Sequence, residues 1–142
     1  MPLLLEIVTP ERLAYSDTVD SVQLPGVEGE LGVLPHHAPL VSMLGVGELR
    51  IRKGGAEESF AIVGGFLQVL PDKVVVLAET ADMASEIDLE KAQEARREAE
   101  KALESGYHEG ADLSLARAAL QQALLRERLA QRRHREGPRH RG

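Results

Sequence analysis

Three groups of residues have the types and spacing to suggest chemistry: the adjacent histidines His36-His37, the diglycine Gly64-Gly65, and an arginine cluster at Arg126, Arg128, Arg132 and Arg133. A histidine pair invites a metal. Neighbours on an extended segment point to opposite sides, however, and no Cys or further His stands nearby in sequence, so the pair is expected to sit structurally in a tight loop. A diglycine can cradle a phosphate when it opens a helix. Gly64-Gly65 instead lies between two strand patterns, where a bulge or sharp bend is the expectation. The serines are scattered without a glycine elbow, no Gly-rich loop carries a Lys, and the carboxylates fall on strand edges or helix surfaces where solvation explains them. The sequence therefore reads as that of a non-enzyme. The arginines belong to a charge reversal: residues 1–125 hold twenty-one acidic against ten basic residues, whereas residues 126–142 hold seven Arg against two Glu. A basic tip on an acidic body is an electrostatic handle for an acidic partner or nucleic acid, or else a solvated tail.

The elements that must carry these groups change character part way along. Six of the seven prolines and nine of the thirteen glycines precede Asp72, and neither residue occurs between Pro71 and Gly106. Before Ala81 the apolar period is two. Glu48-Leu49-Arg50-Ile51-Arg52 sets Leu49 and Ile51 on one face, and Lys53-Gly54-Gly55-Ala56 is a hairpin turn into Ser59-Phe60-Ala61-Ile62-Val63. Similar runs at 3–8, 19–24, 40–44, 66–70 and 74–77 predict an all-β sandwich. With two Phe, two Tyr and no Trp, its core is expected to be aliphatic. Residues 26–41, rich in Gly and Pro, read as a stiff, irregular crossing between strands.

After Glu86 the period becomes helical. Ser85 or Asp88 can cap a first helix whose inward stripe is Leu89, Ala92, Ala95 or Arg96, Ala99, Ala102 and Leu103. A turn containing Gly106 and Gly110, with Asp112 or Ser114 as cap, leads to a second helix from about Leu113 to Gln131. That helix has two apolar stripes, Leu113, Ala116, Leu120 and Ala123 or Leu124, and Leu115, Ala118, Leu125 and Leu129. One can pack on the first helix, leaving the other in want of a partner. The fold class is thus α+β, an N-terminal all-β sandwich over 1–84 followed by a C-terminal antiparallel two-helix hairpin over 87–131, then a basic tail over 132–142 expected to be disordered. Two helices of this length depend on tertiary packing and should be movable. Cysteine is absent, and no apolar run spans a membrane or forms a secretory leader, so a soluble protein of a reducing compartment is expected.

The stretch Gly29-Glu30-Leu31-Gly32-Val33-Leu34-Pro35-His36-His37-Ala38-Pro39-Leu40 resembles the epsilon subunit of the bacterial and chloroplast F-type ATP synthase, the small central-stalk subunit of the rotary motor. The likeness extends through Ile7-Val8-Thr9-Pro10, Gly64-Gly65-Phe66-Leu67-Gln68-Val69 and Ile87-Asp88-Leu89-Glu90-Lys91-Ala92, over roughly 2–131. It implies a sandwich clamped between the gamma subunit and the membrane rotor ring of c subunits, with Glu30 and His37 facing the ring. His36 stands where relatives usually have Gly. It further implies a helical hairpin that folds back in a permissive state and extends along gamma to block ATP hydrolysis. The second helix, with Arg126, Arg128, Arg132 and Arg133, would then meet the catalytic beta subunit beside alpha. The protein would sit peripherally on the cytoplasmic face of the bacterial plasma membrane, without inserting and without binding nucleic acid.

Similar proteins from some bacteria bind ATP through a motif that falls here on Asp88 and Lys91, with Arg128 matching a position in the second helix. Lys91 replaces an arginine whose planar fork an ammonium cannot reproduce, and Glu98 stands where another arginine is expected, so no cofactor is expected, with ATP at most a regulatory ligand. The competing class is a free-standing β-sandwich adaptor whose Arg-rich tail binds an acidic partner or nucleic acid. Missing aromatic platforms and the acidic body weigh against nucleic acid.

Overall fold

The computed structural model describes residues 3–35, 38–105 and 113–136, with the side chains of residue 113 and of residues 133–136 left aside. Two compact units divide the chain between Met83 and Ala84.

In the first unit seven strands form one hydrogen-bonded ladder: β1 (Leu3–Val8), β2 (Leu13–Val19), β3 (Ser21–Gly26), β4 (Gly29–Val33), β5 (Leu40–Lys53), β6 (Ala56–Leu70) and β7 (Lys73–Met83). Their order is β2-β1-β7-β6-β5-β3-β4, antiparallel throughout except where β1 runs parallel to β7. The ladder folds over a single core, because buried residues from β1 (Leu3, Leu5, Ile7), β3 (Val22, Leu24), β5 (Leu44, Leu49, Ile51), β6 (Phe60, Ile62, Leu67, Val69) and β7 (Val74, Val76, Ala78, Ala81) all belong to one cluster. This is the expected sandwich. Its core is aliphatic apart from Phe60, against whose ring the Tyr15 ring of β2 stacks edge-on with centroids 5.5 Å apart. Distant strands are also tied by the Lys53–Asp17 ion pair and by the Gly54 amide donating to Asp20 over 2.8 Å.

Glycine chemistry explains both sharp changes of direction. Gly54 and Gly55, at φ +57° and +82°, form the two-residue turn that joins β5 to β6, as the twist of paired strands demands. At Gly64 (φ +62°) and Gly65 (φ +123°) the ladder is interrupted on both sides, yet Val63 pairs with Thr80 and Gly65 with Ala78 in unbroken register. The diglycine is therefore a bend without an inserted residue. Short runs read separately in the sequence, 40–44 with 48–52 and 59–63 with 66–70, are each one long bent strand. The expected irregular crossing contains a strand as well. β4 pairs with β3 from Val22–Val33 down to Gly26–Gly29, and only Gly29 of its glycines has a positive φ.

The second unit opens with a 3-10 turn, Ala84–Glu86, and continues as α1 (Leu89–Glu104) and α2 (Leu113–Glu136). Asp88 is the N-cap of α1, its carboxylate accepting the Lys91 amide over 3.2 Å. The inward stripe resolves in favour of Arg96: Ala92 and Ala99 are buried, Arg96 is half-buried and Ala95 is exposed. On α2 the stripe passes through Ala123, not Leu124, and continues to Glu127 and Ala130. Of the second apolar stripe, Leu125 and Leu129 are buried while Leu115 is exposed. α2 runs five residues past Gln131, so the stretch expected to begin a tail at residue 132 begins as helix. The connection at 106–112, with Asp112, and the residues after Glu136 lie outside the described residues.

Candidate functional site

Three surfaces are candidates for contact, and two of them carry residues singled out in the sequence. The first is the β3–β4 end of the sandwich. Glu30 pairs with Pro25 on the edge strand β4 and is exposed, as are Val27 and Glu28 at the turn and Leu34 just beyond. An acidic tip with apolar flanks is what this edge offers a partner. His37, expected beside Glu30, lies outside the described residues, as does His36. Among the described residues no group of His, Asp or Glu is arranged to hold a metal ion.

The second surface was not legible in the sequence. On the outer face of the sheet Met43 of β5 stands opposite Phe66 of β6, Phe66 opposite Leu77 of β7, Leu77 opposite Val8 of β1, and Val8 opposite Leu13 of β2. Leu13, Leu77, Phe66 and Met43 are each more than half exposed, and Val41 beside Met43 more so. Val8, Met43, Phe66 and Leu77 also line a shallow apolar concavity, together with Gly65 and Glu79. A band across five strands is a docking feature, because single exposed apolar residues are ordinary but contiguous patches mark contacts. Its signal in the sequence was the apolar residue at each out-of-phase position, Val8, Met43, Phe66 and Leu77, which alternation alone assigns to solvent.

The third surface is the helix pair. Asp88 and Lys91 share the first turn of α1, with the Asp88 carboxylate already engaged as a cap. Arg128 is exposed on α2, as Lys91 is on α1. Arg96 and Glu127 meet across the pair, Nε to Oε1 at 2.7 Å, and Arg96 Nη1 lies 3.1 Å from Glu100 Oε1 one turn along its own helix. With the helices antiparallel, that contact sets the start of α1 beside the last turns of α2, so Asp88 and Lys91 lie towards the Arg132 level and Arg128 nearer Ala95. The two halves of the nucleotide motif are thus on adjacent helices but offset by about a turn. Glu127 is nearly buried, and its carboxylate raises the Arg96 pKa further above its ordinary value. The contact is an ion pair more than a directed hydrogen bond, since the Nε–H has no well-aligned acceptor. Arg126 and Arg132 are half-buried, and the Arg133 side chain lies outside the described residues.

The described residues thus make up two units of a recognisable class, a seven-stranded β-sandwich with an exposed apolar band followed in the chain by an alanine-seamed helix pair. Residues 2–84 match the family model for the beta-sandwich domain of the ATP synthase delta/epsilon chain, and residues 85–131 match its long alpha-helix domain. The ATP synthase epsilon chain of Dehalococcoides mccartyi is 46% identical over 131 residues, covering 92% of this chain and 94% of that one. The corresponding chain of Herpetosiphon aurantiacus is 46% identical over 137 residues, 96% of this chain and all of its own length. A chain in the cryo-EM structure of the Euglena gracilis mitochondrial ATP synthase, OSCP/F1/c-ring in rotational state 1, superposes with a TM-score of 0.76 at 27% identity, covering 89% of this chain and 80% of that one. A chain from the central stalk/c-ring structure of the Tetrahymena thermophila enzyme shares the fold, with a TM-score of 0.57 at 14% identity over 93% of this chain and 96% of that one. This chain belongs to the ATP synthase delta/epsilon chain family. It is accordingly a non-catalytic subunit, and the family takes the side of the stalk expectation over the free-standing adaptor.

Proposed function

We propose that this chain is the epsilon-type rotor subunit of an F-type, proton-translocating ATP synthase, helping to couple proton flow to ATP synthesis and restraining ATP hydrolysis through its helix pair. The observation that carries this reading is the five-strand apolar band Leu13, Val8, Leu77, Phe66 and Met43 on a sandwich that has its own complete core. A subunit that transmits torque needs a wide, stiff contact, and a band anchored in a continuous ladder supplies one. Its occupant is the gamma subunit. Residues 1–84 bind gamma and the c-subunit ring, with Glu30 and His37 turned to the ring's polar loops; residues 87–131 form the regulator, and residues 132–142 carry the basic end. Arg126, Arg128, Arg132 and Arg133 face acidic residues of the beta subunit, near alpha, when the hairpin extends. The complex sits on the cytoplasmic face of the bacterial plasma membrane, this chain being peripheral. The family match and the likeness to a chain of the Euglena enzyme support this assembly.

ATP is at most a regulatory ligand, held weakly by Asp88, Lys91 and Arg128. The cap bond at Asp88, the lysine at 91 and the offset of Arg128 all oppose a tight triphosphate site.

Co-purification tests the reading. A tagged chain should bring gamma with alpha and beta, and Phe66→Ser with Leu77→Ser should remove gamma while leaving the β-rich circular dichroism unchanged. Gamma retained by that folded double variant would contradict the band as its contact. Cysteines at 30 and 37 should crosslink to the ring's polar loop, in a chain with no native thiol.

A further inference from the structure

We infer that Arg96 and Glu127 form a clasp that fixes the register of the helix pair and holds its closed arrangement close to balance with an open one; this rests on the hairpin being the movable regulator. The seam between the helices is otherwise built of small residues, with Ala92 and Ala99 on α1 and Ala123 and Ala130 on α2 all buried. Alanines allow close approach but choose poorly between registers: on each helix the two stand seven residues apart, so a slide of two turns sets alanine against alanine again. The ion pair does choose. The Arg96 guanidinium lies between Glu100 of its own helix, at 3.1 Å, and Glu127 of the other, at 2.7 Å. A slide of two turns, about 10.5 Å, would leave Glu127 in its nearly dry position without a cation, which is strongly unfavourable.

The same pair adds little to stability itself. Both charges lose water on closing, and an Nε–H without a well-aligned acceptor recovers only part of that loss. Opening returns both groups to solvent, where neither requires a partner. A seam that specifies one register while binding weakly is what a reversible switch needs. Arg96 suits the role better than lysine would, because a planar fork can reach two carboxylates at once and an ammonium cannot hold that geometry.

Glu94 and Gln131 are exposed, one on each helix, and the full-length chain has no native cysteine, so nitroxide labels on cysteines placed there report the helix separation by double electron–electron resonance. The otherwise unaltered chain should give a dominant short distance with a minor longer one. Arg96→Leu or Glu127→Leu, each leaving a charge orphaned, should add a longer-distance population at least several-fold above the parent, and Arg96→Lys should fall between. The double variant Arg96→Leu/Glu127→Leu orphans nothing, so it should lose the open population of the singles while its short distance broadens, the ion pair that fixes the register being gone. Single variants with the parent's distances, or a double variant as open as the singles, would overturn the clasp. If the singles lose helix altogether by circular dichroism, recovery of helix in the double supports the clasp and continued loss overturns it. In the assembled enzyme the double variant should hydrolyse ATP faster than the parent. Unchanged hydrolysis alongside the expected distances would leave the clasp standing and overturn the inhibitory reading of the hairpin.

Discussion

At the scale of single residues, Gly65 is the most constrained position. Its φ is +123°, and a Cβ there would fall inside contact distance of the Leu77 carbonyl and 2.8 Å from the Ala78 Cα. Gly65→Ala therefore combines strained backbone with a backbone clash, and a loss on the order of 3 kcal/mol or more is expected in thermal or urea denaturation. Gly54→Ala, also at positive φ but with open space around it, should cost only about 1 kcal/mol. Equal losses at the two sites would contradict the bend. The Asp17–Lys53 pair makes a pH prediction. Its hydrogen bond with Lys53 lowers the Asp17 pKa from the usual 3.8 and raises that of Lys53 above 10.5. A depressed carboxylate stabilises above its unfolded pKa, and that contribution fades as pH falls through the lower folded value. A raised ammonium stabilises below its unfolded pKa, and that contribution fades as pH climbs through the higher folded value. Relative to Lys53→Ala, the parent should thus show a flat stability advantage between about pH 5 and 9 that shrinks at both extremes. Both groups are exposed, so the advantage should be small and reduced by salt.

At the scale of elements, the legibility of the sequence depended on whether a strand has one dry face. β1 reads clearly, because the buried Leu3, Leu5 and Ile7 alternate with half-buried neighbours. β2 does not: in Leu13–Val19 only Val19 is fully buried, and the apolar Leu13 points outward as part of the docking band. β4 is a Gly-containing edge strand with one buried residue, Val33, and one half-buried, Leu31, too few to leave a periodic trace. The glycines at 45, 47, 64 and 65 read as breaks between strands, whereas Pro25 packs where a Gly47 side chain would stand and β5 and β6 continue through. The helices were legible from their period, and the choice of Arg96 over Ala95 was not, because it turns on a partner thirty-one residues away. A chain ending at Ala84 retains every residue of the sandwich core, so it should stay soluble, keep its β-rich circular dichroism and still bind gamma. Aggregation of that chain would contradict two separable units.

At the scale of the whole molecule, charge and modularity meet. An acidic body ending in a helix with Arg126, Arg128, Arg132 and Arg133 can hold an acidic partner through several weak contacts, each worth roughly 0.2–1 kcal/mol when exposed. Replacing one arginine should change hydrolysis little, and replacing all four should raise it. Added salt should relieve inhibition in the parent and much less in the four-alanine variant. The ring-contact role proposed for Glu30 and His37 rests on the family likeness alone, since an exposed carboxylate on an edge strand has no distinguishing pattern of its own. The proposed division of labour is that the helix pair restrains hydrolysis while the sandwich alone secures the stalk. Its most direct test is the ATP hydrolysis rate of enzyme reassembled with the full chain or with the chain ending at Ala84, at equal incorporation of each. A several-fold higher rate is expected with the shortened chain, with unchanged content of the other subunits; equal rates at equal incorporation would contradict that division.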